Sequence, residues 1–288
     1  MKKGIRNYDL LGGYSYYLPG GKGILILTIL LLVGALIGNV LSALLMLCIG
    51  GFGSSHMTLI AYPVMFIPPM MYALSASRNN SMFEEQYTVD NNNFGKSGWF
   101  LCAVLAVVST VAMAFVMDSV NSVMPQMPQW LEDTLKQITD GDNFWLNFIC
   151  VSLFAPFFEE WLCRGMVLRG LLHKTRKDGS RMKPMWAILL SSAYFGLIHL
   201  NPWQAIPAIA LGCLFGYVYY KTGSLKLTML MHMANNTLAL ILNNVDSLAE
   251  ADYLVSYLGH GIYWPIAALC LVIIWLSVKV FSRIPSRP

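Results

Sequence analysis

Charged side chains are scarce in this chain. Lysine, arginine, aspartate and glutamate make up 12% of its 288 residues while 56% are apolar, against a charged share of about a quarter in soluble globular domains. An ordinary water-soluble fold is excluded. Cysteines are few too: Cys48, Cys102, Cys150, Cys163, Cys213 and Cys270 stand singly in or beside apolar runs, and no CxxC pair occurs. That pattern gives no disulfide framework and reads as small buried hydrophobes. Neither an internal repeat nor a low-complexity tract interrupts the sequence, so one compact membrane domain is the simplest organisation.

What the chain has in abundance is apolar runs of membrane-spanning length, near twenty residues each. They cover residues 24–50, 57–76, 98–117, 144–172, 185–200, 203–220, 225–243 and 261–282, and they predict an all-α polytopic bundle of eight spans. The first run is too long for a signal-peptide core and lacks a small-residue cleavage site, so it reads as a retained anchor. If the N-terminus is cytoplasmic, 16 of the 19 lysines and arginines fall in inner segments and only Lys136 in an outer one. This positive-inside bias, with an even number of spans, places both termini in the cytoplasm. The net charge of +4 then marks a membrane face, and no nucleic-acid partner is implied.

Residues 77–97 form an Asn-rich inner loop and 118–143 the longest outer connection. In the latter, Trp130, Leu131, Leu135 and Ile138 recur at roughly helical spacing, which predicts a short surface helix, an anchor in preference to a lid. The basic hairpin 173–184 is accounted for by topology alone.

Of the 15 acidic residues, only Glu159 and Glu160 sit inside an apolar run. Intramembrane ionisable groups are expensive and by default functional. Glu160 and Arg164 stand four residues apart on one helix face, acid first, so Arg164 can neutralise Glu160. Glu159 points about 100° away, with no cation at i+3 or i+4, and its burial favours general-base chemistry. Pro156, one turn earlier, removes a backbone donor and can bend the helix to admit water.

Phe195 and His199 are one turn apart near the end of the fifth run, and His232 and Asn236 one turn apart in the seventh. A carboxylate and an imidazole can deprotonate a water, while a second imidazole and an amide N–H can meet the oxyanion that follows. Glu159 lies near mid-span, however, and His199 closes a run of about 16 residues near the outer face. Straight helices would keep the two apart, so the fifth helix must be tilted inward or its limits must differ by several residues.

In order, Glu159-Glu160-Trp161-Leu162-Cys163-Arg164 fits EExxxR, Phe195 to His199 fits FxxxH, and His232 to Asn236 fits HxxxN. Over residues 144–245 the chain resembles the CPBP family of intramembrane proteases, which includes type II CAAX prenyl endopeptidases and bacterial Abi proteins linked to bacteriocin processing and immunity. The resemblance implies a catalytic core at 144–245, preceded by spans and loops at 1–143 and followed by a loop, last span and basic tail at 246–288. It implies that Glu159 and His199 activate the water, that His232 and Asn236 stabilise the oxyanion, and that Glu160, Arg164 and Phe195 support the site. A membrane-associated or lipidated peptide or protein is the implied substrate, and a bacterial plasma membrane the expected location.

The family has been labelled both metalloprotease and glutamic protease. HExxH is absent; Glu159, His199 and His232 could in principle form a His₂Glu zinc site, but Asn236 beside His232 suits hydrogen-bond donation, so a cofactor-free reaction is favoured. Gly95-Lys96-Ser97-Gly98 matches the GxSG of serine intramembrane proteases by chance, in a polar loop, and none of the nine aspartates falls within the spans as delimited. Two other classes fit less well: a catalytically silent regulator or immunity scaffold, and a proton-coupled transporter, which would be expected to show repeated halves.

Overall fold

The computed structural model describes residues 11–49, 53–133, 143–175, 178–245 and 253–286. Each of the eight apolar runs is a helix: α1 (Gly21–Cys48), α2 (Ser54–Asn80), α3 (Gly98–Asn121), α4 (Phe144–His173), α5 (Pro184–Leu197), α6 (Pro202–Thr222), α7 (Leu225–Asn243) and α8 (His260–Ser282). No strand occurs among the described residues. Five of these helices, α1 to α4 and α8, are long and apolar enough to cross a membrane. The protein is an all-α polytopic bundle, integral to a membrane.

Residues 129–133 are helical; Leu135 and Ile138, the rest of the expected surface helix, lie outside the described residues. The Gly95–Ser97 turn that carries the GxSG match leads directly into α3.

The ends of the central helices are written in local chemistry. Pro184 and Pro202 stand at the first helical position of α5 and α6, where a missing N–H costs nothing. The Asn201 side chain accepts from Trp203 N–H at 3.0 Å, and Gly223 ends α6 in the left-handed conformation at φ 66°, both ordinary capping devices. α7 has a local cap, Ser224 Oγ accepting from Leu227 N–H at 3.3 Å, and a second acceptor from far away in sequence: Asp90 Oδ1 accepts from Leu225 N–H at 2.8 Å, and Asp90 Oδ2 pairs with Lys226 Nζ at 2.9 Å. The Asn-rich inner loop is therefore structural. Val89 is fully buried, its carbonyl accepts from Tyr219 Oη at 2.7 Å, and Asn91 and Asn93 donate backbone N–H groups to the Gly223 and Thr222 carbonyls.

α1 and α2 form a close pair on one flank of the bundle. A Cβ on Gly34 or Gly38 would collide with the backbone of Met65 or Ala61, so this GxxxG spacing lets the two backbones touch. Gly34→Val is expected to force the pair apart and lower the thermal unfolding midpoint of the detergent-purified protein by several degrees; an unchanged midpoint would show that the contact is dispensable. On the other flank α3 packs on α8, α7 and α6.

α4 occupies the centre. Of its apolar stretch 50% is buried inside the protein, against 17–28% for the other four long helices. It is not a uniform α-helix: Phe148–Phe154 and Trp161–Leu168 are π-helical, and Ala155–Glu160 between them is α-helical. Pro156 explains the first interruption. In the π pattern each N–H bonds the carbonyl five residues back, as Ala155 does to Cys150. Pro156 has no N–H to give Val151. That carbonyl instead accepts from Asn236 Nδ2 of α7 at 2.8 Å, which ties the broken backbone to a side chain of the candidate site.

Candidate active site

A cavity of about 790 Å³ opens among α2, α3, α4, α6 and α7, and Glu159, His199, His232 and Asn236 all line it. The remaining wall is largely apolar, with Phe115, Phe195, Leu211 and Phe215 among its members. The fold thus brings together all four side chains singled out from sequence, from α4, the α5–α6 turn and α7.

Glu159 and Glu160 have opposite surroundings, as their 100° separation requires. Glu160 is wholly buried. Its Oε1 accepts from Arg164 Nη1 at 2.8 Å and meets His232 Nδ1 at 3.0 Å. Arg164, itself buried, also donates from Nη2 to the Gly212 carbonyl at 3.2 Å and lies between the rings of Phe195 and Phe215, 4.6 and 5.3 Å from their centroids. Carboxylate, guanidinium and two aromatic faces form a dry, charge-matched base beneath the cavity.

Glu159 faces the cavity with no cation four residues on. Its Oε1 accepts from Tyr62 Oη of α2. Oε2 is buried, accepts no hydrogen bond from the protein, and lies 3.9 Å from His232 Nε2. A buried carboxylate oxygen left without a donor is costly unless something else uses it.

His199 is not in α5. That helix ends at Leu197, and His199 sits in the following turn, where Leu200 takes φ 53°, a left-handed conformation that costs a branched residue of order 1–3 kcal/mol. The sixteen-residue fifth run read from sequence was too long at its C-terminal end. The turn folds back, so His199 borders the same cavity as Glu159. Its Nδ1 lies 2.7 Å from the Phe195 carbonyl; a carbonyl only accepts, so Nδ1 carries the proton and Nε2 is the basic nitrogen of the neutral ring. Phe195 thus makes three contacts with the two histidines, holding His199 by its carbonyl and packing its ring edge-on against His199 and His232, at centroid separations of 5.1 and 5.5 Å.

His232 bridges the two glutamates. With Nδ1–H given to Glu160, Nε2 donates into the cavity only when the ring holds both protons. Asn236 spends one amide N–H on Val151 and accepts from Asn235 Nδ2 at 3.1 Å, which leaves its second N–H for the cavity.

Three lining residues were not legible as site residues. Tyr62 comes from a helix with no charged residue inside its apolar run and none of the three motifs, and Asn235 is hidden in the HxxxN pattern as a free position. Asp118 corrects the span limits: α3 runs to Asn121, so this aspartate lies within the last turn of a helix and lines the cavity. Both its oxygens are taken, by the backbone N–H groups of Leu254 and Val255 at 3.0 and 3.1 Å, which start the short helix Leu254–Leu258. It is a cap.

For the zinc alternative, no group of three or more His, Cys, Asp or Glu side chains is arranged to hold a metal ion among the described residues. His232 Nδ1 and His199 Nδ1 are held by Glu160 and the Phe195 carbonyl, which leaves both Nε2 atoms open toward the cavity, and a bond from the other ring nitrogen to a carboxylate or carbonyl is compatible with either a metal-free or a metal-binding imidazole.

Fold and site together define a polytopic membrane protein with an acid, imidazole and carboxamide cluster inside the bundle. Residues 141–238 match the family model described as type II CAAX prenyl endopeptidase Rce1-like, about a third of the chain and all of the three motifs. The region is thus similar to the CAAX-type proteases that the motifs resemble. No curated protein and no solved structure matches the chain.

Proposed function

We propose that this protein is an intramembrane endopeptidase that hydrolyses a peptide bond of a membrane-associated or lipidated substrate with a water activated by Glu159 and His199. The observation that carries the reading is that a buried, donor-free Glu159 Oε2 and a basic His199 Nε2 line one largely apolar cavity.

In this mechanism a water bound between the two groups gives its proton to Glu159 as its oxygen attacks the scissile carbonyl carbon. The carbonyl oxygen becomes an oxyanion and is met by the second N–H of Asn236 and by Nε2–H of protonated His232. Collapse breaks the C–N bond, and the leaving amine takes the proton held by Glu159. Tyr62 fixes the carboxylate rotamer so that Oε2 points inward. The apolar walls suit an extended peptide with a lipid or apolar side chain, either a CAAX-like C-terminus or a bacteriocin-type peptide.

The reaction is tested with detergent-purified protein and a membrane-associated or prenylated peptide. Asn236→Ala is expected to lower kcat by about 10²–10³-fold, the usual loss of one oxyanion donor, with KM changed far less. Cleavage that persists in a strong chelator supports the glutamate mechanism; cleavage lost on chelation and restored by zinc replaces it with the metal-dependent one. Failure to cleave any such peptide, together with substrate flux in proteoliposomes, would favour transport.

A further inference from the structure

A second cavity, of about 530 Å³, lies at the opposite end of α4 from Phe144, between the loop after α2, the end of α4, the 178–183 segment and the end of α6. It shares no lining residue with the candidate active site. Its character is also different, because three basic side chains, Arg169, Arg181 and Lys221, line it together with His173.

Among the described residues no carboxylate forms an ion pair with Arg169, Arg181 or Lys221. Asp90, the nearest acid in the loop after α2, is committed to Lys226 and the start of α7. Glu85 is exposed and reaches only the Tyr87 hydroxyl, at 3.2 Å, which Arg181 Nη2 contacts from the other side at 3.0 Å.

Arg169 is the deepest of the set and is 1% exposed. Its two Nη atoms donate to the backbone carbonyls of Tyr87, Tyr14 and Tyr17, so the guanidinium clamps the N-terminal segment to the loop after α2. Carbonyl dipoles satisfy those donors but leave the full positive charge in place, and Nε is buried with no partner. His173 Nδ1, also on the wall, is likewise buried and unpartnered. The helix end at Thr222 and Gly223 would disfavour an anion, but both carbonyls are already bonded by Asn93 and Asn91, so the negative end of α6 is capped.

We propose that this cavity binds a phosphate-bearing anion, with Arg181 and Lys221 meeting the phosphate at the mouth, Arg169 supplying charge and an unspent Nε–H behind it, and His173 an unpartnered ring nitrogen beside it. The chemistry is that of cation-lined pockets between membrane helices that receive anionic headgroups. Leu172 and Met182 on the same wall suit the glycerol or first acyl carbons of a lipid, and a soluble phosphomonoester offers the same phosphate.

Two probes separate the sources on the full-length protein. After delipidation in detergent, native mass spectrometry is expected to show one retained phosphatidylglycerol per chain, with phosphatidylcholine retained far less. Arg181→Gln/Lys221→Gln should weaken that retention by about tenfold or more, given roughly fivefold per cation near an anionic headgroup. Lys22→Gln/Lys279→Gln removes the same charge from outside the cavity and should leave retention unchanged. In the second arm, glycerol 3-phosphate raising the unfolding midpoint of the wild type, and not of the Arg181/Lys221 variant, without selective lipid retention, identifies a soluble phosphate as the ligand. The site is overturned if the Arg181/Lys221 variant matches the wild type with both probes, if phosphatidylcholine is held as well as phosphatidylglycerol, or if the Lys22/Lys279 variant loses as much.

Discussion

Glu159→Gln is expected to leave the bundle folded and to lower peptide hydrolysis by about 10²–10⁴-fold, the range for loss of a positioned general base. Glutamine keeps the size of the side chain and still offers an oxygen to Tyr62 Oη, so the packing around α4 should survive. What it removes is the proton acceptor at the Oε2 position. Helical circular dichroism and the unfolding midpoint of the variant should match the wild type, while single-turnover cleavage of a membrane-associated peptide should nearly vanish. Wild-type turnover in this variant would take Glu159 out of the chemistry and return the silent-scaffold reading to first place.

The second large effect concerns stability and lies one residue away. Arg164→Met is expected to destabilise the protein by about 3–5 kcal/mol, because it strips a fully buried carboxylate of its cation. Glu160 would be left with His232 Nδ1 alone. The Gly212 carbonyl would lose its donor, and the faces of Phe195 and Phe215 their guanidinium. Glu160→Gln/Arg164→Met should recover much of the loss, since replacing both members of a buried pair is often near neutral. Chemical unfolding of the purified variants measures both. If the single variant unfolds like the wild type, the pair is an incidental contact.

These two residues show how much of the molecule could be read beforehand. The helices were legible because lipid-facing segments need only length and apolarity, and each expected run is a helix with ends within several residues. The Glu160–Arg164 pair was legible because helical spacing alone places the two side chains together. Tyr62 was not: it reaches Glu159 across 97 positions of chain, and no local pattern records a contact made by tertiary packing. His199 was named, but its placement was wrong in detail, since apolar residues continue past Leu197 and hide the turn. The bridging role of His232 between both acids was hidden for a similar reason. Spacing gives the face of a helix, and the partner helix decides what meets it.

The two π segments of α4 also govern how this helix would respond to a change in length. A π turn holds one residue more than the regular repeat absorbs, so removing a residue within Phe148–Phe154 would let that turn rewind as ordinary helix with the rod intact. Everything beyond it would keep its face, with the Glu159 carboxylate still beneath Tyr62, whereas the same deletion at Ala155 or Pro156, in the regular α-helical stretch, would swing it by roughly 100°. In this helix, register protects the chemistry as much as the identity of any side chain.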